Sequence, residues 1–323
     1  MKSVFVTGIN GLLGTNLVNF LLKSGFKVFG LVRHINSYQG MQSEHLKIIR
    51  GTLFDDHTTV LSKVDYVIHI AAVTAQNILS ETYYWRVNTN ATKQLYQNAI
   101  KCNVKKFVFV SSANTIGYGS KEKPGSEEMS WRQPFCDSIY AQSKKLAENH
   151  VLSGKCRMKT IVVNPTFMLG AFDTKPSSGK IVLMAWKKKM VFYPPGGKNF
   201  VHVEDVAKGI LYALQKGRNR NRYLLSNENL SYYEFFQKLN RVCQQKPVMV
   251  KVPKVILLAL GHLGDFLRRA NVATSLSSVN MRTLCINNYY TNHKSASELD
   301  LSYQPVDKAI EDAISYFEHG VST

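Results

Sequence analysis

The sequence predicts an α/β protein, a doubly wound parallel sheet followed by a smaller, mostly helical C-terminal cap. Three observations predict it. The chain opens with an apolar strand, a glycine-rich turn and a helical pattern, in that order. Strand-like and helix-like segments then alternate, which is the signature of a parallel sheet covered on both faces with right-handed crossovers. After about residue 165 that rhythm breaks into short pieces and then helical periodicities.

The first strand, 2–7, contains Val4, Phe5 and Val6 and runs into Thr7-Gly8-Ile9-Asn10-Gly11-Leu12-Leu13-Gly14. A helix over 11–24 follows, with Leu17, Val18, Leu21 and Leu22 on one face. A glycine turn between strand and helix lets the backbone approach a pyrophosphate, whose charge meets free N–H groups at the positive end of the helix. The spacing is G-x-x-G-x-x-G rather than G-x-G-x-x-G. Further strands are expected at 27–32, 47–50, 65–70, 106–111 and 158–163, with 65–70 and 106–111 apolar enough to be central. Helices are expected at 55–62, 80–102 and 137–153, and later at 203–216, 231–245, 253–269 and 305–318. The division is thus 1–165 for the dinucleotide-binding sheet and 166–323 for the cap region, some of whose segments return to the sheet. A ligand belongs in the cleft between them. The aliphatic stretch 253–269 reads as a packed cap helix in preference to one lying on a bilayer.

A chain of 323 residues with 45% hydrophobic content can bury a full core. Its longest apolar run, Val255 to Leu260, is far too short for a transmembrane segment. The five cysteines form no CxxC pair and are odd in number, and the chain starts directly on a strand, so a cytoplasmic protein without a signal peptide is expected. The nine histidines give no metal-ligand cluster, so no metal is expected. The net charge of +19 is spread, with short clusters at Lys187-Lys188-Lys189 and Arg218 to Arg222 and no nucleic-acid motif. Solvated surface is the simpler reading, steering of an anionic cofactor and substrate the second, and nucleic acid is not an expected partner.

The chemistry centres on Tyr140-Ala141-Gln142-Ser143-Lys144, where Tyr140 and Lys144 share one helix face. A tyrosine ionises near ~10, and an adjacent ammonium would favour its phenolate, giving a pair that moves a proton at an alcohol or carbonyl oxygen. The same interval occurs at Tyr212/Lys216 and Tyr290/Lys294, which read as ordinary surface helix pairs. Context separates the first pair, because it follows the strand ending Val110-Ser111-Ser112-Ala113-Asn114 by one loop. Ser112 at that strand end can donate to the same substrate oxygen; without Tyr140 it would be an ordinary turn serine.

Together, T-G-x-x-G-x-x-G, Ser-Ser-Ala, Y-x-x-x-K and Phe200-Val201-His202-Val203-Glu204-Asp205-Val206-Ala207 resemble the extended short-chain dehydrogenase/reductase superfamily, also called the NAD-dependent epimerase/dehydratase family. The resemblance covers essentially the whole chain. Val163-Asn164-Pro165-Thr166, Gly170 and Pro176-Ser177-Ser178-Gly179 are most similar to the branch of dihydroflavonol 4-reductase and 3β-hydroxysteroid dehydrogenase. The resemblance implies a Rossmann-type domain with a substrate-binding cap. It implies Tyr140 as general acid/base, Lys144 as its electrostatic partner and ribose anchor, Ser112 as carbonyl polariser and Asn88 as the family's helix asparagine. Cofactor contacts are implied at Gly8, Asn10, Gly11, Leu12, Leu13 and Gly14, at Ala71 and Ala72, and at Pro165 and Thr166. Leu53 is the implied adenine contact, although Gly51-Thr52-Leu53 stands where the family often has Gly-Asp-Leu. Homodimers through helices like 80–102 and 137–153 occur in the superfamily.

NAD-selective sites usually end the second strand on an acid. Here that strand ends Leu31-Val32-Arg33-His34, and Arg33 is placed for a 2′-phosphate, so NADP (NADPH) is favoured over NAD. The leading expectation is an NADPH-dependent reductase or dehydrogenase acting on a ketone, aldehyde or secondary alcohol of a fairly apolar small molecule. The alternatives are a nucleotide-sugar epimerase or dehydratase retaining NAD, and a non-catalytic NADP-binding sensor.

Overall fold

In the computed structural model, which describes residues 1–319, the alternating first half forms strands β1 (Ser3–Thr7), β2 (Lys27–Val32), β3 (Leu46–Arg50), β4 (Tyr66–His69), β5 (Lys106–Val110) and β6 (Lys159–Pro165). Between them lie helices α1 (Leu12–Lys23), α2 (Thr58–Leu61), α3 (Glu81–Tyr84), α4 (Ala91–Lys101) and α5 (Ile139–Ser153). The remainder holds β7 (Phe167–Leu169), α6 (Lys180–Leu183), β8 (Met190–Tyr193), β9 (Gly197–His202), α7 (Val203–Lys216), β10 (Asn221–Leu225), β11 (Glu228–Ser231) and α8 (Tyr232–Val242). Then come β12 (Val248–Lys251), α9 (Lys254–Arg269), α10 (Ser278–Leu284), β13 (Asn287–Asn288), α11 (His293–Leu299) and α12 (Val306–His319).

The main sheet has seven strands in the order β3-β2-β1-β4-β5-β6-β10, every neighbour parallel. The chain reverses direction of winding between β1 and β4, which opens a crevice beyond the carboxyl ends of those two strands. One face of the sheet is covered by α1 and α7, with Leu17, Leu21, Ile210 and Leu214 fully or nearly fully buried against Val4, Val6 and Val108. The other is covered by α4 and α5, with Leu95, Tyr96, Ala147 and Val151 against Phe107 and Phe109.

Some segments beyond 165 are expected to return to the main sheet, and α7 and β10 do so. The helix over 203–216 forms at those residues as α7, which packs on α1, β5, β6 and β10 and so covers the main sheet. β10, which follows it, is the seventh strand of that sheet. Two of the expected helices need correcting. A helix over 55–62 shrinks to α2, because Asp55 accepts from the Thr52 backbone N–H and Asp56 from that of Thr58. Such local side-chain turns compete with helical backbone pairing. The expected helix 80–102 is also interrupted, passing through a π-helical turn at Trp85–Asn90 between α3 and α4.

The rest of the cap combines helices with two small sheets. β11, β9 and β13 pair in that order with β7 on β9, and β12 pairs with β8. Its own core joins Phe200, Phe235, Phe236, Ile310 and Ala313. Helix α8 starts on a reciprocal cap, with Ser231 and Glu234 each bonding the other's backbone N–H.

Because α7 and β10 complete the main sheet from beyond residue 166, a fragment ending at 165 leaves the α1 face and the β6 edge uncovered. It should show no cooperative thermal transition by circular dichroism, whereas a fragment ending after β10 should recover at least part of one.

Candidate active site

The glycine loop lies at the crevice between β1 and β4, and its three glycines do different work. Gly8 has φ +76°, and a Cβ there would sit 2.8 Å from the Ala71 backbone nitrogen. A Cβ on Gly14 would meet the Gly8 carbonyl oxygen at 2.0 Å. Both are therefore required by the protein's own packing, of strand on strand and helix on loop. Gly11 differs: a Cβ would meet only the Gly8 oxygen, at 3.8 Å. It is the N-cap of α1, whose first turn has no side-chain cap and no acid. The open side of Gly11 and the uncapped helix start fit a phosphate group.

Thr7 fixes this corner. Its hydroxyl lies 2.7 Å from His69 Nδ1 and accepts from the Ile70 and Ala71 backbone N–H groups, while His69 Nε2 lies 2.9 Å from the Thr92 hydroxyl. Burial, with the Lys144 charge nearby, holds the His69 imidazole down to about 3, so it stays neutral and serves as a spacer between two hydroxyls. Asn10 donates to Ser37 at 3.0 Å, tying the glycine loop to the segment after β2. Arg33 begins that segment, exposed and without an acidic partner among the described residues. Leu53 is half-buried against the core beneath α4, and the Thr52 hydroxyl is spent on Asp55.

The sequence-expected catalytic residues do gather at the carboxyl end of β5. Ser138 caps α5 and sets Tyr140 in its first turn, partly buried. The Ser112 hydroxyl accepts from the Asn114 N–H at 3.2 Å, which leaves its own proton to donate, and it lies close enough to the Tyr140 phenol to ease that group's ionisation slightly. Burial nevertheless dominates and pushes the phenol up from its ordinary value, with Tyr84 adding to the rise. The expected lowering by Lys144 is absent. Lys144 turns away, donating to the Val110 carbonyl at 2.6 Å with its ammonium 4.2 Å from the Phe109 ring centroid. Only 2% of it is exposed, and burial pulls its ammonium down to about 7 despite the Glu148 carboxylate one turn on.

Asn88 makes no hydrogen bond to the Tyr140 phenol. It is buried, accepts from Val73 N–H at 2.7 Å, and donates to the Val73 carbonyl and the Ser143 hydroxyl, both at 3.0 Å. Its role is to clamp the loop after β4, which carries Ala71 and Ala72, to α5. The π-helical turn supplies the offset that points it there. Tyr84 holds the same loop through the Ala75 carbonyl.

Further residues escaped sequence reasoning. Glu148, fully buried, accepts from Ser111, Thr115 and Asn164 at 2.7–2.9 Å and faces Lys145 and Arg222 at 3.6 and 3.5 Å. Its i+4 spacing from Lys144 was the available signal. The sequence-expected Pro165 ends β6 and Thr166 follows, its hydroxyl donating to Oδ1 of Asn199, a residue the sequence did not single out, at 2.7 Å and so joining β6 to β9. Next to Asn199, Lys198 lies 4.6 Å from the Phe167 ring centroid with no acidic partner among the described residues, and burial lowers it to about 8. Of the two look-alike pairs, Tyr212 and Lys216 do share α7. Tyr290 is instead a buried residue outside any helix that donates to the Ala113 carbonyl, next to Ser112, while Lys294 sits on α11.

Comparison with known proteins places the chain as a whole. The family model for the NAD dependent epimerase/dehydratase family matches residues 4–226. The chain belongs to that family. A putative dihydroflavonol 4-reductase of Synechocystis is 29% identical over 98% of this chain and 95% of its own. A decarboxylating sterol-4-alpha-carboxylate 3-dehydrogenase of Dictyostelium discoideum is 30% identical over 80% and 83%. Among solved structures, that of gox2253 matches with a TM-score of 0.85 at 25% identity, covering 99% of both chains. UDP-glucuronic acid 4-epimerase of Bacillus cereus, solved with NAD, shares the fold at TM-score 0.78 and 17% identity over 98% and 99%. The protein is an NAD(P)-dependent enzyme of the extended short-chain type, acting on CH–OH chemistry.

Two predictions arise from the site. Gly14→Ala should destabilise the fold by about 1–3 kcal/mol or more through overpacking, whereas Gly11→Ala should change stability by less than about 1 kcal/mol. Gly11→Ala should still weaken dinucleotide binding about tenfold, read by fluorescence titration. The second concerns Lys144. Its ammonium is disfavoured in the folded state, a cost fully present below pH 7 and relieved as pH rises toward the unfolded value. The melting temperature of Lys144→Met minus that of wild type should therefore be largest near pH 6 and shrink toward about pH 10.

Proposed function

We propose that the protein is an NADPH-dependent reductase or dehydrogenase acting on a ketone, aldehyde or secondary alcohol of a fairly apolar small molecule. The observation that carries this reading is a phenol kept protonated by burial beside a serine hydroxyl that still has a proton to give. When bound, the reduced dinucleotide supplies a hydride to the carbonyl carbon. Ser112 donates a hydrogen bond to the substrate oxygen and polarises the carbonyl, and Tyr140 Oη delivers the proton as that oxygen gains charge. Lys144 holds the end of β5 through Val110 and so keeps Tyr140, one turn earlier on α5, in register beside Ser112. The Gly11 side of the loop and the start of α1 hold the phosphates, Ala71 and Ala72 leave room over β4, and Pro165 and Thr166 bound the nicotinamide side.

Preference for NADPH rests on Arg33, an exposed guanidinium at the end of β2 with no acid there to bond ribose hydroxyls. The curated relatives named as reductases and dehydrogenases point to carbonyl or alcohol chemistry, and the sterol enzyme among them to an apolar substrate. One observation favours a second reading, a nucleotide-sugar epimerase or dehydratase. The unpaired Lys198 beside Thr166 and Phe167 would welcome an anionic substrate group.

Tyr140→Phe should cut turnover by about 10²–10⁴-fold while NADPH affinity stays within a few-fold, measured with a carbonyl panel followed by NADPH absorbance. Retained turnover would remove Tyr140 from the mechanism. For the cofactor, Arg33→Ala should weaken NADPH about tenfold or more, from a charge-assisted bond of about 1.5–3 kcal/mol, and leave NADH nearly unchanged. Equal weakening of both, or a wild type that prefers NADH, would put the epimerase or dehydratase reading first.

A further inference from the structure

Helix α9 was expected to pack within the cap, yet it does so along one narrow line. Leu257, Gly261 and Gly264 are its buried residues, the two glycines lying so close to α10 and the chain before it that a Cβ would clash with Ser278 and Leu276. The opposite side is apolar and bare: Val255 is 76% exposed, Ile256 51%, Leu263 50% and Phe266 67%. At about 100° per residue, these four with Ala259 and Leu260 fall in a single arc of about 140°, uninterrupted by charge. Exposure of half to three-quarters at these four places them on an outer surface, not in a cleft. Such a stripe is larger than the scattered apolar residues of an ordinary surface.

Charge says what covers it. From Lys246 to Asn271 the chain has five basic residues, Lys246, Lys251, Lys254, Arg268 and Arg269, and one acid. That acid, Asp265, is turned inward to accept from the Ser278 N–H at 3.0 Å. β12 leads into α9 through Val252 and Pro253, and its partner β8 follows Lys187-Lys188-Lys189 and exposes Met190 and Phe192. A second copy docking symmetrically here would bring these cations against themselves, in a chain of net charge +19. An anionic lipid surface complements both the apolar arc and its basic border.

We propose that α9 is a membrane-surface docking helix that inserts its Val255–Phe266 face among the acyl chains of an anionic bilayer leaflet. It lies on the membrane and does not span it; no helix among the described residues is long and apolar enough to cross one. Docking would also orient the site. Arg268 on α9 donates to the Gln76 and Ile78 carbonyls at 3.1 and 2.8 Å, and Arg282 on α10 pairs with Asp137 at 3.1 Å, one residue before the cap of α5. The helix that meets lipid is thus tied directly to the loop after β4 and, through α10 packed on it, to the residue before the cap of α5.

The test is flotation of the full chain with phosphatidylcholine vesicles that contain or lack phosphatidylglycerol. Wild type should float with the anionic vesicles at low salt and remain behind with the neutral ones. Leu263→Glu/Phe266→Glu and Lys251→Glu/Arg269→Glu should each lower the bound fraction about tenfold or more. All four positions are exposed, and unchanged melting temperature and NADPH affinity would show that the variants fold. Three results would overturn the proposal: no flotation of wild type, equal flotation on both vesicles, or flotation undiminished in folded variants. So would a dimer, seen by light scattering, that the Leu263→Glu/Phe266→Glu variant splits.

Discussion

Burial of a single ammonium group, that of Lys144, constrains the whole catalytic corner. Among the described residues its side chain donates only to the carbonyl of Val110, the last residue of β5, and its charge rests on the ring of Phe109. Removing a charge from water costs several kcal/mol, which is why the group falls to about 7. The apolar contacts of Phe107, Phe109, Ala147 and Val151 on that face offset the cost. In return α5 has one register on the sheet, and Tyr140, one turn earlier, stands at the carboxyl end of β5 beside Ser112. The phenol is held neutral there, which suits giving a proton rather than taking one.

The loops that would meet a dinucleotide are positioned from behind, by polar side chains on helices. Thr92 on α4 reaches Thr7 through His69, and Thr7 holds the turn in which Ala71 abuts Gly8. Asn88, on the π-helical turn, binds both backbone groups of Val73 and the Ser143 hydroxyl. Glu148 gathers Ser111, Thr115 and Asn164 beneath the Ser112 turn. His69, Asn88 and Glu148 are buried and hydrogen-bonded, so each rigidifies its loop, while Asn164 Oδ1 in the last cluster is buried without a partner among the described residues. The small sheets of the cap join the main one through Thr166 and Asn199.

What could be read from the sequence was local. The glycine turn, the Tyr140–Lys144 interval and the alternation of strands and helices are all specified by neighbours within a few residues, and they stand where expected. Asn88 was legible as a residue of interest, but its actual partners lie 15 and 55 residues away. The direction in which Lys144 points depends on Val110 and Phe109, so the proximity of Tyr and Lys on one helix face could not reveal it. Helix α7 looked like any later helix because its apolar stripe serves a sheet or a cap equally well. The outward face of α9 ran opposite to the usual rule that an apolar helix is a packed one, and only the burial of its two glycines shows which side faces in.

The state of the Tyr140 phenol in the free protein tests this arrangement most directly. Tyrosinate absorbance can be titrated in wild type and Tyr140→Phe, and the difference between the two assigns one phenol among sixteen tyrosines. Burial predicts that the difference curve stays flat through neutral pH and rises only above about 10. A Tyr140 that ionises near pH 7 in the free protein would mean that Lys144 does lower it directly, and would contradict a proton donor held neutral by its surroundings.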